Sequence, residues 1–210
     1  MLRSLDGKEM LSAASPIRTG IAVRTEMPDS EMHPENQGTL SSILMAQIRS
    51  SRGSAREVRA EEIADYLSIY HPDWILMMKG ELLGGTISGT FCSVSYPFTH
   101  DPIFPYIPAA IQVLYFAQLG YVLIGTLAAG GLLLPLGVDL PKYRALRDGA
   151  RILYRHTSLI FRREIPIGAD CVASLEISKI RIQSHVIYTS LNASIPGYTG
   201  GTVSAAILLG

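Results

Sequence analysis

Cysteine is nearly absent from this chain, with only Cys92 and Cys171 among 210 residues. Both fall inside strand-like runs, which points to buried free thiols in a reducing compartment rather than to a disulfide framework. Charge is scarce as well, at 17% of residues, and 18 Lys and Arg balance 18 Asp and Glu. No net field therefore recruits nucleic acid or an anionic lipid surface. Gly-x-Ser-x-Gly, Gly-x-Gly-x-x-Gly, Walker, Cys-x-x-Cys and His-Glu-x-x-His signatures are all missing. Their absence removes most of the weight from nucleotide, metal and serine-hydrolase mechanisms, so no metal and no cofactor is expected. The first residues lack the basic-then-apolar pattern of a signal peptide, so the expected location is the cytoplasm and the Asn192-Ala-Ser194 sequon is read as fortuitous.

Against this scarcity stands an apolar fraction of 48% and one stretch, between Asp101 and Asp139, with no charged side chain. Prolines cluster at its front, and Ala109–Ile124 behind them reads as a helix buried nearly all round. Pro108 suits a first helical position, and the amides of Ala109 and Ala110 then become free donors at the positive helix end. A membrane span is the rival reading of so long an apolar run. Gln112, Gln118, Gly120, Gly125 and the Gly130-Gly131 pair interrupt it, and Pro135 ends it. No basic cluster sets an orientation, and the strand-rich remainder needs something apolar to pack on. The expectation is a core helix and no membrane.

The rest of the chain divides into a polar, broken arm over residues 1–55 and a single domain over 56–210. Within the arm, Leu40–Ile48 has the pattern of a short helix. Ser54 and Glu57 have capping-box spacing, and Val58, Ile63, Tyr66, Leu67 and Tyr70 continue an amphipathic helix to His71-Pro72. Trp74–Leu83 and Thr86–Tyr96 read as strands joined at Gly84-Gly85. After the apolar helix comes a polar connection over 139–150 with a helical piece, then strands at Leu153–Glu164, Cys171–Gln183 and Val186–Ser194 and a closing piece at Thr202–Leu209. In the second of these strands the apolar phase slips between Ile177 and Ile180, the mark of a β-bulge near Ser178-Lys179.

Candidate chemistry rests on scattered polar groups. His100 precedes Asp101 in the loop leading to the helix start, where a near-neutral base suits proton transfer, so it is the candidate catalytic base. Tyr106 stands at the same mouth and is placed with it. Gln112 and Gln118 are polar residues on an apolar helix and require partners if buried. Arg155 shares strand parity with Leu153, Thr157, Leu159 and Phe161, which predicts a buried cation in want of an anion. Arg162, Gln118 and Tyr70 join it, with the Ala109 and Ala110 amides, as candidate substrate-binding groups. His33 and His185 read as bland, His71 as a helix-end residue that favours the negative end of its helix, and His156 as a structural hydrogen-bonding residue.

Phe104–Tyr121, with its Ala-x-x-Val-Leu-x-Phe-x-Gln-Leu-Gly-Tyr core, resembles the central helix of the FcoT-like thioesterase family. Tyr154–Arg163, including Arg155, Phe161 and Arg162, resembles that family's next strand. The likeness spans roughly residues 70–208 and implies an α+β hotdog fold, an antiparallel sheet wrapped around a long central helix, in a homodimer or higher homo-oligomer. It implies acyl thioesters on acyl carrier protein or coenzyme A as substrates. Some relatives are thioesterases; others add glycine to the β-carbon of a 2-enoyl thioester. The family's loop tyrosine falls at His100 here and its helix-start asparagine at Pro108, departures that weigh against simple hydrolysis. The leading expectation is glycine conjugate addition, with amides on the thioester carbonyl, His100 as base and Arg155 or Arg162 on the glycine carboxylate. A thioesterase, an enoyl-thioester hydratase or dehydratase, and a non-catalytic acyl-binding protein are the alternatives.

Overall fold

Among the described residues, seven antiparallel strands and one long helix form the body, mostly from the elements the sequence pattern announces, with three shifts that matter for the site. The computed structural model describes residues 34–51, 55–92, 106–168 and 170–210, and the side chains from residue 38 onward. All of these lie in one compact unit, Met32–Gly210.

Helix α1 spans Pro34–Ser50. Its Leu44 and Ile48, one turn apart, are buried in the core. Ser41 Oγ accepts a hydrogen bond from the Ile182 amide at 3.3 Å. The arm boundary expected at residue 55 therefore moves: α1 belongs to the body.

The second shift is at residues 56–58. The expected helix from Ser54 does not begin there, and Ser54 itself lies outside the described residues. Arg56–Val58 is instead strand β1, paired with β2 (Met77–Leu83). Helix α2 starts at Ala60, and the Arg59 amide donates to Glu62 Oε2 at 3.1 Å, so the side-chain cap sits five residues later than the spacing predicted. A long-range tie explains the strand. Arg56 donates to the Thr126 carbonyl at 3.0 Å and pairs with Glu62, putting a cation beside the last turns of α3.

Helix α3 runs Ala109–Ala129, with Pro108 as its N-cap rather than its first helical residue. Its 21 residues are long and apolar enough to cross a membrane, but fourteen of them are buried within this unit. It passes through Gly120 and Gly125 because aromatic rings press on both. A Cβ at Gly120 would stand 2.1 Å from the Tyr154 hydroxyl, and one at Gly125 would stand 2.7 Å from the Tyr66 ring. The Tyr154 hydroxyl donates to the Ala117 carbonyl at 2.6 Å, and the Tyr143 hydroxyl donates to that of Tyr121 at 2.9 Å. Tyr143 comes from α4 (Leu140–Asp148), whose N-cap Asp139 accepts from the Lys142 amide at 2.8 Å.

The remaining strands are β3 (Thr86–Phe91), β4 (Ile152–Phe161), β5 (Cys171–Gln183), β6 (Val186–Ile195) and β7 (Thr199–Leu208). The sheet order is β1-β2-β3-β5-β6-β7-β4. β3 and β4, the strands that flank α3 and α4 in sequence, are thus separated in the sheet by β5–β7, and the helix lies across the inner face the strands share. That face is lined by Ala173, Leu175, Ile177, Ile180 and Ile182 of β5, Ile187 and Leu191 of β6 and Val203 of β7, all buried. This is the α+β hotdog arrangement. The expected bulge in β5 is present, between Ile177 and Lys179.

The third shift is a second bulge, in β4 between Tyr154 and His156. Arg155 is the extra residue. It is exposed, as Leu153, Thr157 and Phe161 of this edge strand also are, and so is not the buried cation expected from parity.

Candidate active site

The start of α3 is where apolar interior meets free donors. Pro108 has no amide, and its carbonyl accepts from Ile111 at 3.0 Å and Gln112 at 3.3 Å. The amides of Ala109 and Ala110 have no acceptor among the described residues, and both residues are exposed. Five contacts fix this end. The Ile107 amide donates to the Ile165 carbonyl at 2.7 Å, and Tyr106 forms an isolated bridge with Pro166. Gln112 donates to the Ile107 carbonyl at 3.2 Å and accepts from the buried Thr199 hydroxyl at the start of β7. The Arg162 amide donates to the Tyr198 carbonyl at 2.7 Å, next to Thr199. Tyr106, Ala109, Ala110 and Arg162 are therefore gathered at one end of the fold.

The other candidates are elsewhere. Gln118 is fully buried, and its amide is occupied: Oε1 accepts from the Leu76 and Met77 amides at 3.0 and 3.2 Å, and Nε2 donates to Trp74 at 2.5 Å. It stitches α3 to the entry of β2. Tyr70 packs edge-on against Tyr121, with ring centroids 6.1 Å apart. Tyr121 is twelve residues along α3 from Ala109, or about 18 Å at the helical rise. Burial pushes the Tyr70 phenol up to about 12, so it stays protonated at neutral pH. Arg155 is seven residues along β4 from Arg162, about 23 Å away at the strand rise. His100, the expected base, lies outside the described residues.

Sequence reading missed the segment that β4 delivers to this end. Glu164 is exposed and two residues from the Pro166 bridge to Tyr106. Nothing in the pattern of residues 162–166 announces that it folds beside residues 106–107; the pairing is a tertiary event.

Further along α3, an apolar cavity of about 30 Å³ lies between the helix and the sheet. Gly120, Leu123 and Leu127 of α3 face Ile180, Ile187 and Ile207 of the sheet across it, and Leu44 of α1 contributes a wall. That volume is close to one water molecule's share of liquid, so a long acyl chain requires the lining side chains to move. Cys171 is buried, and burial pushes its thiol up to about 11, which leaves it unreactive at neutral pH. Among the described residues, no group of three or more His, Cys, Asp and Glu stands ready to hold a metal.

No family model matches the chain, and no curated protein matches it. Among solved structures it is similar to a crystal structure of a thioesterase superfamily protein, at 12% identity and a TM-score of 0.38 over 88% of this chain and 94% of that one. At that score the fold rests on the strand order and the buried helix described above.

Proposed function

We propose that this chain is an acyl-thioester-processing enzyme, and that its reaction is the conjugate addition of glycine to a 2-enoyl thioester carried on acyl carrier protein. The observation that carries the reading is the pair of amides at Ala109 and Ala110, without an acceptor among the described residues, at the head of an apolar helix wrapped by sheet. A base, His100 in this reading, takes a proton from the glycine ammonium. The freed amine attacks the β-carbon, and the double-bond electrons move onto the thioester oxygen as an enolate. The Ala109 and Ala110 amides donate to that oxygen while it carries the charge. The proton then returns to the α-carbon, so only a carbon–nitrogen bond and a carbon–hydrogen bond have formed. Arg162, at the same end of the sheet, is the cation for the glycine carboxylate, bound through its planar fork. Arg155 is too far along β4 to share that task.

Glu164 favours a second reading within the same class. A carboxylate near the helix start can activate water, and the thioester is then hydrolysed. Intact-mass spectrometry of a 2-enoyl carrier protein incubated with this chain and glycine separates the two. A gain of one glycine, lost with His100→Ala and retained with Glu164→Gln, supports addition. Loss of the acyl group, abolished by Glu164→Gln, refutes it in favour of hydrolysis. A carrier that binds and keeps its acyl group unchanged refutes both and leaves a non-catalytic acyl-binding protein.

The working unit in this reading is a homodimer. Among the described strands β4 pairs only with β7, and its ten-residue outer edge exposes Leu153, Ile160 and Phe161. Such an edge is a template for pairing with a second copy. Light scattering should give twice the mass of 22.8 kDa, falling to one chain in Ile160→Lys; a wild-type monomer at micromolar concentration refutes the dimer.

A further inference from the structure

The outer face of the sheet concentrates positive charge at a place unrelated to the start of α3. Arg155, Lys179 and Arg181 border a groove of about 340 Å³ whose walls include Tyr188, Ser190 and Ser204. None of the three cations has an ion-pair partner among the described residues. The nearest acid along β5, Glu176, pairs in register with Asn192, whereas Lys179 pairs with Ser190. In a chain with as many acids as bases overall, three unpaired cations around one hollow are a local choice that mutual repulsion opposes.

The backbone is shaped for the same place. Lys179, Ser190, Ser204 and His156 lie opposite one another on one transverse row across β5, β6, β7 and β4. Two of the three bulges among the described strands fall on that row, immediately before Lys179 and immediately before His156, while the third lies in β2 between Met77 and Lys79. Bulges re-aim side chains, and they recur next to functional sites. The β4 bulge sends the Arg155 guanidinium back across β7 until it stands 5.2 Å from the centre of the Tyr188 ring on β6. Arg181 is directly opposite Tyr188 in register from the other side. One guanidinium therefore stands over the ring, and the other, donating to Gln183 Oε1 at 2.6 Å, lines the same groove from the neighbouring strand together with Ser190 and Ser204.

We propose that this groove binds a small phosphate-bearing molecule, its phosphate oxygens held by Arg155, Lys179 and Arg181 and its remainder lying along Tyr188. Guanidinium forks match phosphate oxygens in pairs, an ammonium adds a point charge, and serine hydroxyls donate to whatever oxygen is left. The cations surround a hollow rather than lining a flat stripe, which favours a compact anion over an acidic protein surface. The groove and the start of α3 are about 23 Å apart along β4, so this inference stands whether or not the chain adds glycine to thioesters.

The test is isothermal titration of the full chain with ADP and with inorganic pyrophosphate, against potassium chloride at matched ionic strength. A short polyglutamate peptide is titrated in parallel. The expected result is saturable one-to-one binding of both phosphates, about tenfold weaker in Arg181→Gln and undetectable in the Arg155→Gln/Arg181→Gln pair. Circular dichroism checks that the paired variant is folded. Should it not fold, Lys179→Gln, a single exposed change, must show a weakening of its own. Heats no larger than those of chloride, or phosphate binding that survives these changes, overturn the proposal. Tighter binding of the peptide than of either phosphate also overturns it, and assigns the groove to a protein partner.

Discussion

Replacing Gly120 by Ala should destabilise the fold even though alanine is the better helix former. In an exposed helix the change gains about 1 kcal/mol. Here the new Cβ would stand 2.1 Å from the Tyr154 hydroxyl oxygen and 3.0 Å from Tyr154 Cζ. An ordinary carbon–oxygen approach is roughly 3.3–3.6 Å, so the ring must move by more than an ångström. Moving it breaks the 2.6 Å bond from Tyr154 to the Ala117 carbonyl and leaves a buried hydroxyl to find another acceptor. Overpacking costs about 1–3 kcal/mol and the stranded hydroxyl about 1–3 more, so the net loss is on the order of 1–5 kcal/mol after the helix gain, centred near 3. At a urea slope of about 2 kcal/mol per molar, a 3 kcal/mol loss moves the unfolding midpoint down by about 1.5 M. The cycle with Tyr154→Phe isolates the cause. Phenylalanine removes the clashing oxygen, so Gly120→Ala should cost at least about 1 kcal/mol less on that background. Additive costs, or a more stable Gly120→Ala single variant, would refute the packing argument.

Three further outcomes follow from the same interior. Gln118→Leu strands the Leu76 and Met77 amides and the Trp74 carbonyl, so it should cost about 3 kcal/mol in urea unfolding; a loss under 1 kcal/mol means those groups find water. Cys171, with its thiol raised to about 11, should be about one-thousandth thiolate at pH 8 and resist iodoacetamide in the folded chain, while labelling there without prior unfolding contradicts its burial. The hydrogen bond from Arg147 is the largest cause holding the Asp148 carboxyl below its usual value. A lowered folded value means the pair stabilises the fold above the unfolded carboxylate range and loses that contribution as pH falls through the folded value. Asp148→Asn should therefore flatten the stability curve in that acid window and leave its shape near pH 7 unchanged; an identical acid slope in both proteins counts against the pair.

Much of the fold was legible because burial writes itself into residue order. The β5 bulge shows in the switch from Leu175 and Ile177 to Ile180 and Ile182, since β5 is central and its inner face is filled at every position. The β4 bulge left no such trace. β4 is an edge strand, and of its ten residues only Ile152 is buried. A strand whose apolar residues are half exposed does not report which face they point to, and Arg155 was misread for that reason. Residues 56–58 were misread for another. Their strand state depends on Arg56 reaching Thr126, seventy positions away, and local capping patterns carry no information about a partner at that distance.

The same contrast separates the two ends of the candidate chemistry. The start of α3 could be found from sequence because proline and a charge-free helix are local facts, and the amides of Ala109 and Ala110 follow from them. What surrounds those amides comes from elsewhere: Arg162 and Glu164 arrive with the segment after β4, and Thr199 with the start of β7. The outer groove depends wholly on such pairing. Lys179 and Arg155 are 24 positions apart and look like ordinary surface cations in their own strands. Only the register, which puts Lys179 and His156 on one row with a bulge beside each, turns them toward the same groove. If bulges are kept where they aim side chains, restoring regular pairing should matter more than removing charge. Deleting Ser178, the extra residue of β5, should abolish phosphate binding as completely as Arg155→Gln/Arg181→Gln does, although all three cations remain. Unchanged affinity in a folded Ser178 deletion would show that the cations find the ligand without the bulge.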